Sequence, residues 1–184
     1  MAIITTIFLL NFIIFFIVYE LFIGINRYFK RKYLFKKALQ KSKELNKPLI
    51  VIGDPKQGTF NFLFGQNYGC GDITIDITGS PVCSNKSLNI RGKIEDILPK
   101  IASNSAIIFI SCVLEYVDSS QLPQIINNLY RIGGKSGVFI VCVEWYSFTS
   151  RLYFSRFITN ESPANNIIYL DKNGLISSYK KLKK

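Results

Sequence analysis

The stretch PLIVIGDPKQGTFNFLFGQNYGCGDITIDITG, Pro48 to Gly79, decides the fold. It holds two short β-branched runs, Leu49 to Ile52 and Ile73 to Ile77, each adjoining Gly and Asp. Strands of a parallel sheet have this character, because helices cover both faces and apolar residues need not alternate with polar ones. Gly53 and Gly58 turn the chain at the carboxyl end of the first run, where open α/β sheets bind their ligands. Asp76, at the end of the second run, is placed to accept hydrogen bonds from a ribose. The pattern predicts a nucleotide or nucleoside pocket on a compact, Rossmann-like, mostly parallel sheet. Asp76 as a turn-capping acid with no ligand is the competing reading of that residue.

Downstream the chain alternates between strand and helix. A short helical segment fits around Thr59 to Phe64, because about 18 residues between the first two strands leave little room for a full crossover helix. A third strand is expected near Ser87 to Arg91, followed by a helical turn in KIEDILPKI that Pro99 interrupts. Ala106 to Cys112, AIIFISC, is the clearest strand. Leu122, Ile125, Ile126, Leu129 and Tyr130 stand in helical register, so Gln121 to Arg131 reads as a helix stopped by Gly133 and Gly134. A fifth strand spans Gly137 to Val143. A helix over Phe148 to Ile158 and an antiparallel hairpin, Asn166 to Leu170 and Leu175 to Tyr179 around DKNG, are expected to close the fold.

A formal charge of +11 on 184 residues suggests a nucleic-acid partner until the charge is located. Nine basic residues and one acid, Glu44, lie between Asn26 and Lys47, and four lysines lie among the last five positions. Pro48 to Tyr179 holds ten basic and ten acidic residues, so the globular part is neutral and nucleic acid is an unlikely partner for the core.

Residues 1–25, MAIITTIFLLNFIIFFIVYELFIGI, carry no charge before Glu20. About 20 apolar residues suffice to cross a hydrocarbon core of about 30 Å, so this reads as a single-pass transmembrane anchor whose partner is the bilayer. A signal peptide would show a basic leading region, a shorter apolar run and a small-x-small site. Residues 26–47, with apolar side chains at 25, 28, 29, 34, 35, 38 and 39, read as a continuation of that helix, a basic amphipathic juxtamembrane segment directed at anionic lipid head groups. A solvated basic linker is the alternative, and Pro48 ends the segment in either case. Basic residues after the anchor place the amino terminus outside and the remainder, residues 48–184, on the cytoplasmic side.

Five apolar strands alternating with helices and a terminal hairpin give an element order that resembles class I S-adenosylmethionine-dependent methyltransferases. IVIGDPKQG stands where that family has its glycine-rich motif, and ITIDITG where it has the ribose-binding acid. GKIEDILPKIASNSAIIFISCVLEYVD is similar to the segment around the adenine and the fourth strand, and NNLYRIGGKSGVFIVCV to the helix, turn and fifth strand that follow. YGCGDITIDITG with SCVLEYVD also resembles methyltransferase-like proteins of large DNA viruses and phages. The resemblance implies a site for S-adenosylmethionine formed by Gly53, Asp54, Gly58, Asp76, Glu95 and Ser111, with no metal. The chain departs from the family pattern where Asp54 follows Gly53, where Pro55 and Lys56 replace small residues, and where Lys93 replaces an acid beside the adenine. These departures favour a degenerate fold with a structural or interaction role among neighbouring proteins in a membrane assembly such as a virion. An active methyltransferase tethered to a membrane is the alternative.

Other chemistries are weaker. GDPKQGT has the Gly-x4-Gly spacing of a phosphate loop, but Thr59 stands where the lysine is required. The chain has no histidine, which removes Ser-His and Cys-His pairs and His-based metal sites. Cys112 and Cys142 read as buried small apolar residues. Cys70 and Cys83 are close enough in sequence to meet around the second strand, but a cytosol-facing domain predicts reduced thiols. Glu115 reads as a helix-start charge, and Trp145, Tyr146 and Phe148 as packing or as the wall of an acceptor pocket. No catalytic residue is assigned.

Overall fold

The computed structural model describes residues 2–56, 60–83, 85–118, 120–134 and 136–142. Gly58, the aromatic cluster at 145–148, the helix expected over 148–158, the terminal hairpin and the lysine tail lie outside them. Within them the chain is α/β: a long helix α1 (Ala2–Leu45), then strands β1 (Leu49–Ile52), β2 (Ile73–Asp76), β3 (Leu88–Arg91), β4 (Ile107–Ser111) and β5 (Val138–Val141). Between them lie helices α2 (Asn61–Phe64), α3 (Ile94–Ile97) and α4 (Leu122–Gly133). All four strand pairings are parallel, in the order β3-β2-β1-β4-β5, a Rossmann-like arrangement. The five strands coincide with the five apolar runs of the sequence to within one or two residues at each end.

The runs are continuously apolar because both faces are covered, yet successive residues still serve opposite layers. Ile50, Ile52, Ile75, Ile108, Ile110 and Ile140 pack on one face against Ile94, Leu98, Leu122, Ile125, Ile126 and Leu129. Leu49, Val51, Ile107, Phe109 and Val141 pack on the other, where Tyr68 and the Ala38, Leu34 and Phe35 side chains of α1 meet them. Helix α4 begins with Pro123 in its first turn, where a missing N–H loses nothing, and ends at Gly134, whose φ of 67° suits glycine and whose N–H reaches the Tyr130 carbonyl at 2.8 Å.

Helix α1 runs unbroken across 25/26, as expected of residues 26–47 continuing the anchor helix. Its second half is the layer that covers one face of the sheet, so the globular unit starts well before Pro48. The reason is a stripe at helical spacing, Gly24, Tyr28, Arg31, Phe35, Ala38 and Ser42, that turns toward the sheet, while Lys32, Lys36 and Lys37 stay exposed. Beyond this stripe the apolar segment projects clear of the sheet, with Ile7 to Phe22 largely exposed. It is long and apolar enough to cross a membrane, and only 6% of its most apolar window is buried, unlike a soluble core helix.

One expectation is overturned. Cys70 and Cys83 form a disulfide that joins the approach to β2 to the turn after it. The β2–β3 crossover must travel back along the sheet from the carboxyl to the amino edge, and this return brings Cys83 beside Cys70.

Phe109 is fully buried between Phe35 of α1 and Tyr68, with ring centroids at 5.4 and 5.1 Å. Phe109→Ala is expected to cost about 3–5 kcal/mol in denaturant unfolding. A loss below about 1 kcal/mol would mean that α1 does not pack on the sheet as described.

Candidate functional site

The carboxyl edge of the sheet gathers the residues singled out from sequence. Gly53 and Asp54 follow β1, Asp76 ends β2, Glu95 lies in α3 just past β3, and Ser111 ends β4. The strand order reverses between β1 and β4, and ligands of open α/β sheets settle at such a switch point. Gly53 has φ 104° and sits tightly in it. A Cβ there would lie 3.1 Å from both the Ser111 carbonyl oxygen and Val113 Cγ2. The glycine is therefore explained by packing across the switch point, and its N–H continues the sheet by donating to the Ile75 carbonyl at 2.9 Å.

The acids are engaged from within. Asp54 is buried, and its Oδ1 accepts from the Ser80 hydroxyl at 2.7 Å and from the Lys56 N–H at 3.0 Å. Its carbonyl accepts from the Tyr68 hydroxyl at 2.9 Å. Asp76 Oδ1 accepts from the backbone N–H and the hydroxyl of Thr78, at 2.8 and 2.7 Å. This is the geometry of a turn-capping acid. Glu95 is half-buried in the first turn of α3. Beside this edge Phe60 is buried, whereas Phe62 and Lys56 are exposed.

The residue that sequence reasoning missed is Arg31. It comes from α1, is 7% exposed, and its Nη2 donates to Cys112 Sγ at 2.7 Å, immediately past β4. Cys112 adopts φ 51° and is partly buried, so it is the acceptor of a guanidinium rather than the simple apolar filler expected. Burial opposes the Arg31 charge, while the hydrogen bond to Cys112 and the nearby Glu115 carboxylate favour it, and the net direction is upward. Glu115 stands in the first turn of a short 3-10 helix, Leu114–Tyr116, as a helix-start charge, and its side chain is buried. The signal for Arg31 was its position in the stripe 24, 28, 31, 35, 38, 42, where every other member is small, aromatic or a hydroxyl. Buried side-chain atoms without a hydrogen-bond partner within the described residues include Arg31 Nε, Ser111 Oγ and both polar atoms of the Asn67 carboxamide. They leave donor and acceptor capacity in the interior.

Burial raises the pKa of the Cys112 thiol, outweighing the Arg31 charge that favours the thiolate, and burial likewise raises that of Tyr68. Both groups are neutral in the fold, so their contribution is fully present below their unfolded pKa values, about 8.5 for Cys and 10 for Tyr, and is lost as pH rises through the higher folded values. Unfolding free energy is expected to fall above about pH 8.5, and Cys112→Ser should delay that fall to about pH 10, where Tyr68 begins to titrate. Denaturant titrations of both proteins between pH 7 and 11 check this, and superimposable profiles would refute it.

No family model, curated protein or solved structure matches the chain.

Proposed function

We propose that the chain is a membrane-anchored, methyltransferase-like module with a structural or interaction role in a membrane-associated assembly such as a virion. Residues 1–25 cross the bilayer, the exposed lysines of 26–47 meet anionic head groups, and the domain offers its surface to neighbouring proteins. The observation that carries this reading is Arg31. The protein's own helix places a buried guanidinium at the β1/β4 switch point, bonded to Cys112 Sγ at 2.7 Å. A nucleoside held there would need that volume and free acceptors nearby. Asp54 instead serves Ser80 and Lys56, and Asp76 serves Thr78. A second reading, an active S-adenosylmethionine-dependent methyltransferase, draws support from the unpartnered Ser111 Oγ and Arg31 Nε.

Calorimetric titration of the full chain in detergent micelles with S-adenosylmethionine and its demethylated product separates the two. No heat of binding up to millimolar ligand is expected. Micromolar binding that Asp76→Ala abolishes would establish the enzyme reading instead. The helix must be kept in such a measurement, because a fragment starting at Pro48 lacks the layer that covers Phe109.

The basic residues after the apolar segment favour a domain on the cytoplasmic side, whereas the Cys70–Cys83 disulfide favours an oxidising compartment. We adopt the cytoplasmic orientation. In sealed vesicles with the cytoplasmic face outward, added protease is expected to remove the domain, and complete protection would reverse the assignment.

A further inference from the structure

We infer that the short helix α2 is a second membrane contact, and that Phe62 and Leu63 insert into the bilayer beside the point where α1 leaves it. The inference rests on the reading that residues 1–25 cross the bilayer. Its basis is the direction of α1. Ser42 donates to the Lys47 carbonyl near the amino edge of the sheet, Phe35 meets Phe109 in mid-strand, and Arg31 meets Cys112 past the carboxyl edge. The helix therefore runs antiparallel to the strands, and its apolar segment departs from the carboxyl edge. Ile23 lies eight residues before Arg31, so the apolar segment begins about 12 Å beyond that edge at 1.5 Å per residue.

Helix α2 sits at that level. The Phe60 ring covers Gly24 so closely that a Cβ there would come within 2.5 Å of its Cε2, which fixes the loop against the helix at the end of the apolar segment. One helical turn later the Tyr28 hydroxyl lies 2.8 and 3.0 Å from the carbonyl oxygens of Phe64 and Gly65 and donates between them. The Phe64 ring stands 5.4 Å from Tyr28 and 6.3 Å from Phe29. Held in this way, Phe62 is 83% exposed and Leu63 60% exposed. Two large apolar side chains pointing into water would be unfavourable, and the residues flanking them, Phe60 and Phe64, pack on Gly24, Tyr28 and Phe29 where the apolar segment of α1 ends. Arg27 and Lys30, in the turn of α1 that carries Tyr28, supply the cationic belt that such a contact has at head-group depth. The occupant indicated by this adjacency is the bilayer itself.

The test uses the full chain in vesicles with Trp145→Phe removing the single tryptophan, and one new tryptophan at a time. Phe15→Trp, read with lipids brominated deep in the acyl chain, reports the anchor, Phe62→Trp and Leu63→Trp report α2, and Leu88→Trp reports the exposed opposite edge of the sheet. An interfacial side chain lies about 5–10 Å into the head-group and acyl boundary, so lipids brominated near the top of the acyl chain should quench Phe62→Trp and Leu63→Trp roughly twofold, and Leu88→Trp not at all. Quenching of Phe15→Trp with none at 62 and 63 would overturn the α2 contact and leave the anchor standing. No quenching at 15 would remove the anchor and the contact with it. Equal quenching at 62 and 88, or a blue shift at 62 without quenching, would also overturn the proposal, the latter by showing a protein surface as the occupant.

Discussion

A parallel sheet has two apolar faces and each must be covered. In this chain α3 and α4 cover one, and the second half of α1 covers the other. That division determines much else. The first half of α1 and the sheet share one rigid element, so the domain is not suspended from its apolar segment by a linker. The Phe35, Phe109 and Tyr68 rings lock the two together, and each aromatic pair adds about 0.5–1.5 kcal/mol to the area it buries. Apart from the buried Arg31, the basic residues of 26–47 line the outer side of a core helix before they are anything else.

The same helix imposes the oddest feature of the interior. A buried guanidinium is expensive unless opposite charge and hydrogen bonds compensate for lost hydration. Arg31 has the Cys112 sulfur as a hydrogen-bond partner and the field of Glu115 as compensation. The arrangement ties α1 to the carboxyl end of β4 by a directional contact, whereas the rest of the interface is apolar and tolerates sliding. A polar contact of this kind specifies register more than it adds stability. Here the register sets how far the apolar segment stands above the sheet.

The sheet was legible in the sequence because each strand is a short β-branched run bounded by Gly, Asp or Pro, and α4 because its apolar residues recur at helical spacing. The clustering of Gly53, Asp54, Asp76, Glu95 and Ser111 at one edge followed from the same reading, since each stands at a strand's carboxyl end. What the side chains do there was less visible. Whether Asp76 faces a ribose or Thr78 depends on a two-residue turn, and whether Asp54 is available depends on Ser80, 26 residues away. Arg31 was hidden for a different reason: among nine basic residues in a 22-residue stretch, composition points to solvent and lipid, and only the stripe position marks the one that turns inward. The Cys70–Cys83 bond was rejected on an argument about compartment, although the geometry of the crossover brings the two together.

The direction of α1 also limits what the carboxyl edge can meet. In the proposed membrane-anchored arrangement the switch point would look toward the bilayer across about two helical turns, with the loops after β2 and β4 on that side. Ile77 and Tyr116, both at least half exposed, stand on those loops. A soluble macromolecule approaching from this side would have to displace lipid as well as protein, so only a small or membrane-resident molecule has a short path to Gly53. The faces that arrangement leaves free are the outer surface of α1, which carries exposed lysines, and the amino edge, where Leu88 is exposed. In that arrangement an interaction role would use the surface away from the membrane, and any residual chemistry the surface toward it.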